Sequence, residues 1–185
     1  MAQYKEVFEN KGQTFLIRNA TGEDAAEIIR YMEIVDRETT FLSREPGEAQ
    51  REYPLEKEKT FLQTTADRES NLFLVVRSPQ GEVVATCNCQ YNPNRFRLRH
   101  VASLGISVRQ DFWRMGLARK MMQIQEDWCR TQGIEKLTLE VDTTNLRAIG
   151  LYLSRGFVVE GTLRRAAKMA DGSWRDWYAM AKFLD

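Results

Sequence analysis

The segment VRQDFWRMGLARKM, residues 108–121, decides how the chain is read. It leaves an apolar, strand-like run, turns tightly at Gly116 and enters a helical pattern in which Leu117, Met121, Ile124 and Trp128 share one side. Gln132-Gly133 stop that helix. A strand that enters a helix through a glycine leaves unpaired backbone N–H groups at the helix start, where the helix dipole adds positive potential. Such a turn can hold a pyrophosphate, and Gly116 and Ala118 are small enough for ligand and backbone to approach closely. Arg109, Arg114, Arg119 and Lys120 surround the turn with positive charge. No Gly-Lys-Ser/Thr follows, so this is not a P-loop, and the second and third glycines of a dinucleotide fingerprint are missing. By its glycine alone, the segment also reads as a strand-to-helix turn with a solvated basic face.

Working outward, FRLRHVASLGISV (96–108) predicts the strand that feeds the turn. Before it, LFLVVR (72–77), the turn Ser78-Pro79-Gln80-Gly81 and EVVATCNCQY (82–91) predict a β-hairpin, which Asn92-Pro93-Asn94 ends. TFLIR (14–18) reads as a first strand. Ala25, Ile28, Ile29, Met32 and Val35 then recur at helical spacing, with Thr21 or Asp24 able to cap. Pro46, Gly47 and Pro54 mark a loop, followed by a second helix from about Leu55 to Thr65. Downstream come a strand KLTLEV (136–141), a helix over 145–155 and two strands, about 157–169 and 174–183, flanking Asp171-Gly172. This order predicts an α/β fold with a mixed sheet. No linker or repeat divides the chain, so one domain spanning residues 1–185 is expected.

Composition narrows the function. A chain of 185 residues buries roughly 70% of its unfolded surface, enough for one sizeable core. Lys plus Arg number 27 against 26 for Asp plus Glu, a net charge of +1, which argues against nucleic acid as a partner. No apolar run approaches the roughly 20 residues that cross a bilayer, and MAQYKEVFENK lacks the apolar core of a secretion signal. The cytoplasm is therefore the expected compartment, with no membrane partner. Three cysteines and one histidine, scattered, argue for buried thiols and against a disulfide framework or a metal site. His100 stands alone, with no nucleophile signature beside it.

The segment NLRAIGLYLSRGF (145–157) adds a second motif. Asn145, Ala148, Leu151, Tyr152, Gly156 and Phe157 match Asn-x-x-Ala-x-x-Leu-Tyr-x-x-x-Gly-Phe, while Gly116 and Ala118 match the Gly-x-Gly/Ala of an earlier motif. Together they resemble the GNAT superfamily, the Gcn5-related N-acetyltransferases. Trp113 occupies the slot where the family often has Gln or Arg, a departure also familiar in the branch resembling ribosomal-protein alanine acetyltransferases. LIRNATGEDAAEI and DGSWRDWYAM also look like the ends of ribosomal-protein and small-molecule acetyltransferases. The resemblance implies the GNAT fold, a mixed, mostly antiparallel sheet of about six to seven strands flanked by about four helices.

It further implies acetyl transfer from acetyl-CoA to a primary amine in a ternary complex, without a covalent enzyme intermediate or a metal. The acetyl-CoA site would comprise Ile106, Val108, Arg109, Trp113, Arg114, Met115, Gly116, Leu117, Ala118, Arg119, Asn145 and Tyr152. Tyr152 matches the family's proton donor to the departing thiolate; the same residue also reads as a core tyrosine. Asn145 would cap its helix and help orient the pantetheine arm. Glu140, twelve residues before Tyr152, has the spacing of the glutamate assigned as base in ribosomal N-terminal acetyltransferases. In a strand it faces away from Leu137, Leu139 and Val141, toward a cleft or simply toward solvent. Many family members carry a glutamate near Ala102 or Ser103; here the base is left to Glu140, His100, Glu38 or water.

Backbone N–H groups of Leu104 to Val108 would meet the oxyanion, with Gly105 consistent with a bulge, with a close ligand approach or simply with a well-packed strand. Substrate selection is expected from the first two helices and their loop, with Glu38 and Phe41 binding substrate. The acceptor would be a small-molecule amine, a protein N-terminus or a lysine. Trp174, Trp177 and Tyr178 are expected in the core, the cleft or a dimer interface; a homodimer follows from the resemblance alone. A catalytically silent sensor of acetyl-CoA or of an amine, on the same fold, is the rival reading.

Overall fold

In a computed structural model describing residues 4–184, the chain begins with a hairpin of β1 (Lys5–Asn10) and β2 (Gln13–Asn19). Helices α1 (Ala25–Glu38), α2 (Glu48–Glu52) and α3 (Leu55–Ala66) follow, then strands β3 (Asn71–Arg77), β4 (Val83–Tyr91) and β5 (Val101–Val108). The remainder comprises α4 (Leu117–Thr131), β6 (Lys136–Asp142), α5 (Leu146–Ser154), β7 (Val158–Lys168) and β8 (Trp174–Phe183). All eight strands form one sheet in the order β1-β2-β3-β4-β5-β6-β8-β7, antiparallel at every step except β5–β6.

The architecture is the expected α/β one, with one more strand and one more helix than the sequence predicts. The extra strand is β1. Its hairpin closes on Lys11 and Gly12, both with positive φ (48° and 74°), the backbone twist that suits two-residue hairpin loops. The extra helix is the short α2. Residues 92–100 form turns rather than the start of a strand, because β4 and β5 pair only as far as Tyr91↔Ala102. Helix α4 begins at Leu117, just past the turn: residues 110–112 form a 3₁₀ turn, and Arg114 and Gly116 adopt left-handed φ.

Periodicity decides what each face of the sheet covers. Ala25, Ile28, Tyr31 and Val35 line one side of α1 and pack with Leu62, Val75 and Val83. On the opposite face, α4 and α5 press Leu117, Met121, Ile124 and Tyr152 onto Phe15, Leu74, Cys87, Leu104 and Leu137. Burying a side chain of Leu or Ile size contributes about 1.5–3 kcal/mol, so these two clusters dominate stability. The three thiols are free and buried within the second cluster, as the sequence predicts, with the Cys89 and Cys129 sulfurs 3.5 Å apart.

Two buried carboxylates tie elements together. Asp24 accepts from Arg18 and Arg77, joining the start of α1 to β2 and β3. Burial by itself pushes this carboxyl up, but hydrogen bonds from the Arg18 guanidinium, the Thr21 N–H and Arg77 outweigh it and hold the carboxyl at about 2. Glu126 of α4 accepts from Arg155, just past α5, and from Lys182 of β8. Strand β7 is exposed on both faces over nearly its whole length; Trp174 is exposed as well, whereas Tyr178 packs against the core. Among the described residues, no helix is long and apolar enough to cross a membrane.

Candidate active site

The parallel neighbours β5 and β6 pair only at Val101↔Lys136, Ala102↔Leu137 and Ser103↔Thr138. The joined end is pinned by Thr138, whose hydroxyl donates to the Ala102 carbonyl at 3.1 Å. Beyond it, β5 stays paired to β4 as far as Val108, and β6 to β8 as far as Asp142. A slot therefore opens between Leu104–Val108 and Leu139–Asp142. Backbone N–H and C=O groups alternate between the two edges of a strand, so half of those in Leu104–Val108 face this slot without a strand partner. The side chains of Ile106 and Val108 turn into the core, leaving backbone as their contribution to the slot.

Gly105 lies in an unshifted β4–β5 register, which removes the bulge from its possible readings. A Cβ at this position would lie 2.5 Å from Asn88 Oδ1, so any larger residue would have to displace that exposed side chain.

At the mouth of the slot, the chain from Arg109 to Gly116 forms the turn that the sequence marks out. Backbone N–H groups from Arg114 to Arg119 have no hydrogen-bond partner among the described residues; the first helical bond runs from Lys120 to Gly116. Six consecutive donors at the start of a 15-residue helix are suited to receive an anion. The turn is braced from three directions. Asn10 of β1 donates to the Met115 carbonyl at 2.9 Å, the Trp113 indole donates to the Val108 carbonyl at 2.8 Å, and Arg147 stacks 4.1 Å from the centre of the Trp113 ring system.

Of the four cations expected here, two are engaged elsewhere. Arg109 pairs with Glu82 and Asp111, and Lys120 pairs with Glu6. Arg114 and Arg119 are exposed at the turn and have no carboxylate partner among the described residues. Leu117 is buried and Met115 packs against the core, so these two also offer backbone rather than side chain to a ligand.

Tyr152 enters from the α5 side. It is 9% exposed, its ring lies 5.9 Å from that of Phe157, and its hydroxyl has no hydrogen bond to any described residue. Burial pushes the phenol up to about 12, so it stays protonated and can donate at neutral pH. Asn145 caps α5 by accepting the Ala148 N–H at 3.2 Å. Glu140 lies exposed on the opposite face of the sheet from Leu139 and Val141. That face also carries Ser103 and Ser107, the latter bonded to Tyr31 of α1 at 2.8 Å. Tyr152, packed with Leu139 and Val141, and the exposed Glu140 thus lie on opposite faces of the sheet.

The two residues expected to bind substrate lie at the end of α1. Glu38 is committed in part, since its carboxylate accepts the Gln110 N–H at 2.8 Å and its carbonyl accepts from the Gln110 side chain. It braces the turn. Phe41 is exposed on the following loop. Sequence reasoning did not find Asn10, Gln110 or Arg147. Only Asn10 left a local signal: Asn10-Lys11-Gly12 sits between two alternating runs.

Comparison with known proteins agrees with this geometry. A family model described as the acetyltransferase (GNAT) family matches residues 30–157. Over 108 residues the chain is 37% identical to the L-amino acid N-acetyltransferase AaaT of Escherichia coli strain K12, covering 55% of this chain and 62% of that protein, less than two thirds of its length. It is 34% identical over 108 residues to the [ribosomal protein bS18]-alanine N-acetyltransferase of Salmonella typhimurium strain LT2, covering 58% and 67% of the two chains. Among solved structures, the acetyltransferase of GNAT family from Streptococcus pneumoniae superposes with a TM-score of 0.82 at 30% identity, covering 92% of this chain and 99% of that one.

Proposed function

The chain belongs to the GNAT acetyltransferase family, and on that premise we propose that it transfers the acetyl group of acetyl-CoA directly to a primary amine bound in the slot between β5 and β6. Acetyl-CoA supplies the acetyl group already activated as a thioester. The observation that carries the reading is the run of free N–H groups from Arg114 to Arg119 at the mouth of a slot whose β6 edge carries Glu140, with Tyr152 packed on the opposite face of the sheet. Those donors hold the pyrophosphate, with Arg114 and Arg119 adding charge. Slot-facing N–H groups of Leu104–Val108 hold the negative charge that develops on the carbonyl oxygen.

An alkyl amine has an ordinary pKa near 10.4, so it must lose a proton before its lone pair attacks. Glu140, on the acceptor face, takes that proton directly or through one water. The nitrogen–carbon bond forms, the nitrogen releases its second proton to water as the carbon–sulfur bond breaks, and Tyr152 delivers a proton to the departing sulfur. Protons then return from Glu140 to solvent and from solvent to Tyr152, which balances the cycle. Asn145 holds the start of α5, and with it the position of Tyr152.

The test is release of free thiol from acetyl-CoA across polyamines, amino acids and N-terminal peptides, run alongside the thermal shift produced by acetyl-CoA. Amine-dependent release establishes the transferase. A thermal shift without release across a broad panel points instead to a silent sensor of the cofactor.

A further inference from the structure

On the acceptor face, beyond the joined end of the slot, lies a cleft of about 800 Å³. Its lining includes Gln90, Ser103 and Thr138 of the sheet and, from the adjoining turns, Arg68, Ser70 and Arg95. Ser103 and Thr138 are register partners, and Glu140 stands two residues farther along β6 on the same face, about 7 Å away at the rise of a strand. The cleft and the slot are therefore neighbouring compartments of one trough.

Charge gives the cleft its character. Arg68 and Arg95 are both in its lining, and no lining residue is a carboxylate. Neither guanidinium forms an ion pair among the described residues, whereas Arg18, Arg44, Arg77, Arg109 and Arg155 all do. The backbone that carries each arginine is held. The Arg68 N–H donates to the Thr65 carbonyl at 3.2 Å, and the Arg95 N–H donates to the Asn92 carbonyl at 3.2 Å. Asn94 closes the same turn through the Asn92 side chain at 3.0 Å. Two guanidinium groups without ion pairs, in a lining otherwise of amides, hydroxyls and apolar groups, suit an anion and repel a polycation.

We propose that the cleft lined by Arg68 and Arg95 reads an anionic group, a carboxylate or a phosphate, on a small acceptor whose amine reaches Glu140 in the adjoining slot. This deepens the transferase reading and rests on it. It selects among acceptors: amino acids or phosphorylated amines are favoured over polyamines.

Matched acceptors test the proposal on the full chain. Thiol release is followed with phenylalanine against phenylalaninamide, and with phosphoethanolamine against ethanolamine. The expected result is a kcat/KM at least tenfold higher for the anionic member of one pair, and the favoured pair tells carboxylate from phosphate. R68A and R95A should each cut that preference at least tenfold, mainly through KM, with the Kd of acetyl-CoA unchanged. Equal use of both members in both pairs, or a preference that survives both substitutions, overturns the proposal.

Binding of the same acceptors to the CoA-loaded protein, read by saturation-transfer NMR, separates this proposal from the reading beneath it. Binding that depends on the anion and is lost in R68A and R95A, with no thiol release from any amine, keeps the cleft and removes the transferase. Thiol release with polyamines and no binding of any anionic amine keeps the transferase and removes the cleft.

Discussion

At Gly116 the backbone φ is +73°, and a Cβ there would lie 2.9 Å from the Asn10 side-chain nitrogen. Any other residue strains the turn and pushes on the group that braces it. Gly116→Val should raise the Kd of acetyl-CoA at least tenfold by isothermal titration; an unaltered affinity removes this turn from the site. Tyr152 makes the complementary prediction. Phe fills the same buried volume and lacks only the hydroxyl, so Tyr152→Phe should lower kcat about 100-fold, the scale of a lost general acid, with acetyl-CoA affinity within twofold of the parent. Turnover that does not change takes Tyr152 out of the chemistry.

Among the elements, β1 supports the site without entering it. Asn10→Ala removes a hydrogen bond worth about 1 kcal/mol to the Met115 carbonyl, and the loosened turn should bind acetyl-CoA about fivefold more weakly by titration. No change would mean that the turn holds its shape alone. Asp24, which joins α1 to β2 and β3, makes its prediction in acid. Its carboxyl sits at about 2 in the fold against an ordinary 3.8, so its contribution is fully present above pH 3.8 and is lost as pH falls through about 2. Asp24→Asn should cost about 2 kcal/mol at pH 7, and the gap to the parent in urea melts should narrow as pH falls from 4 to 2. A gap constant across that range refutes the assignment.

These two elements also mark what was legible. The helices α1 and α4 announce themselves because Ile28, Tyr31 and Val35, or Leu117, Met121 and Ile124, repeat at the helical period and face a core. Strand β1 hides because its outward residues include Val7 and its inward ones include Glu6 and Asn10, which reverses the usual pattern at a sheet edge. Residues 96–100 mislead in the other direction: Phe96 and Leu98 alternate with arginines like a strand, yet both are exposed and no strand is beside them. The catalytic candidates Tyr152 and Glu140 lie within short motifs and could be read locally. The brace at Asn10 acts across 105 positions, and neither its partner nor the crossing of Asn88 over Gly105 has any local signature.

On the scale of the whole molecule, strands β1–β5 form one plate and β6–β8 another, and only three register pairs join them. The buried Glu126 adds a second tie, linking α4 to Arg155 and to Lys182 of the smaller plate. In the proposed mechanism the seam lets an acid on one face of the sheet and a base on the other act on the same substrate, which a continuous sheet would forbid.

An edge left unfastened in the middle of a sheet also trades its hydrogens unevenly. In deuterated water, the amides of Leu104–Val108 that look across the seam should label within the time of loop amides, while their neighbours bonded to β4 lag far behind. Saturating CoA should slow the first set and leave the second as it was. Equal protection along β5 before any ligand is added would mean that the seam is closed in solution, and the order of events on the enzyme would then have to begin with its opening.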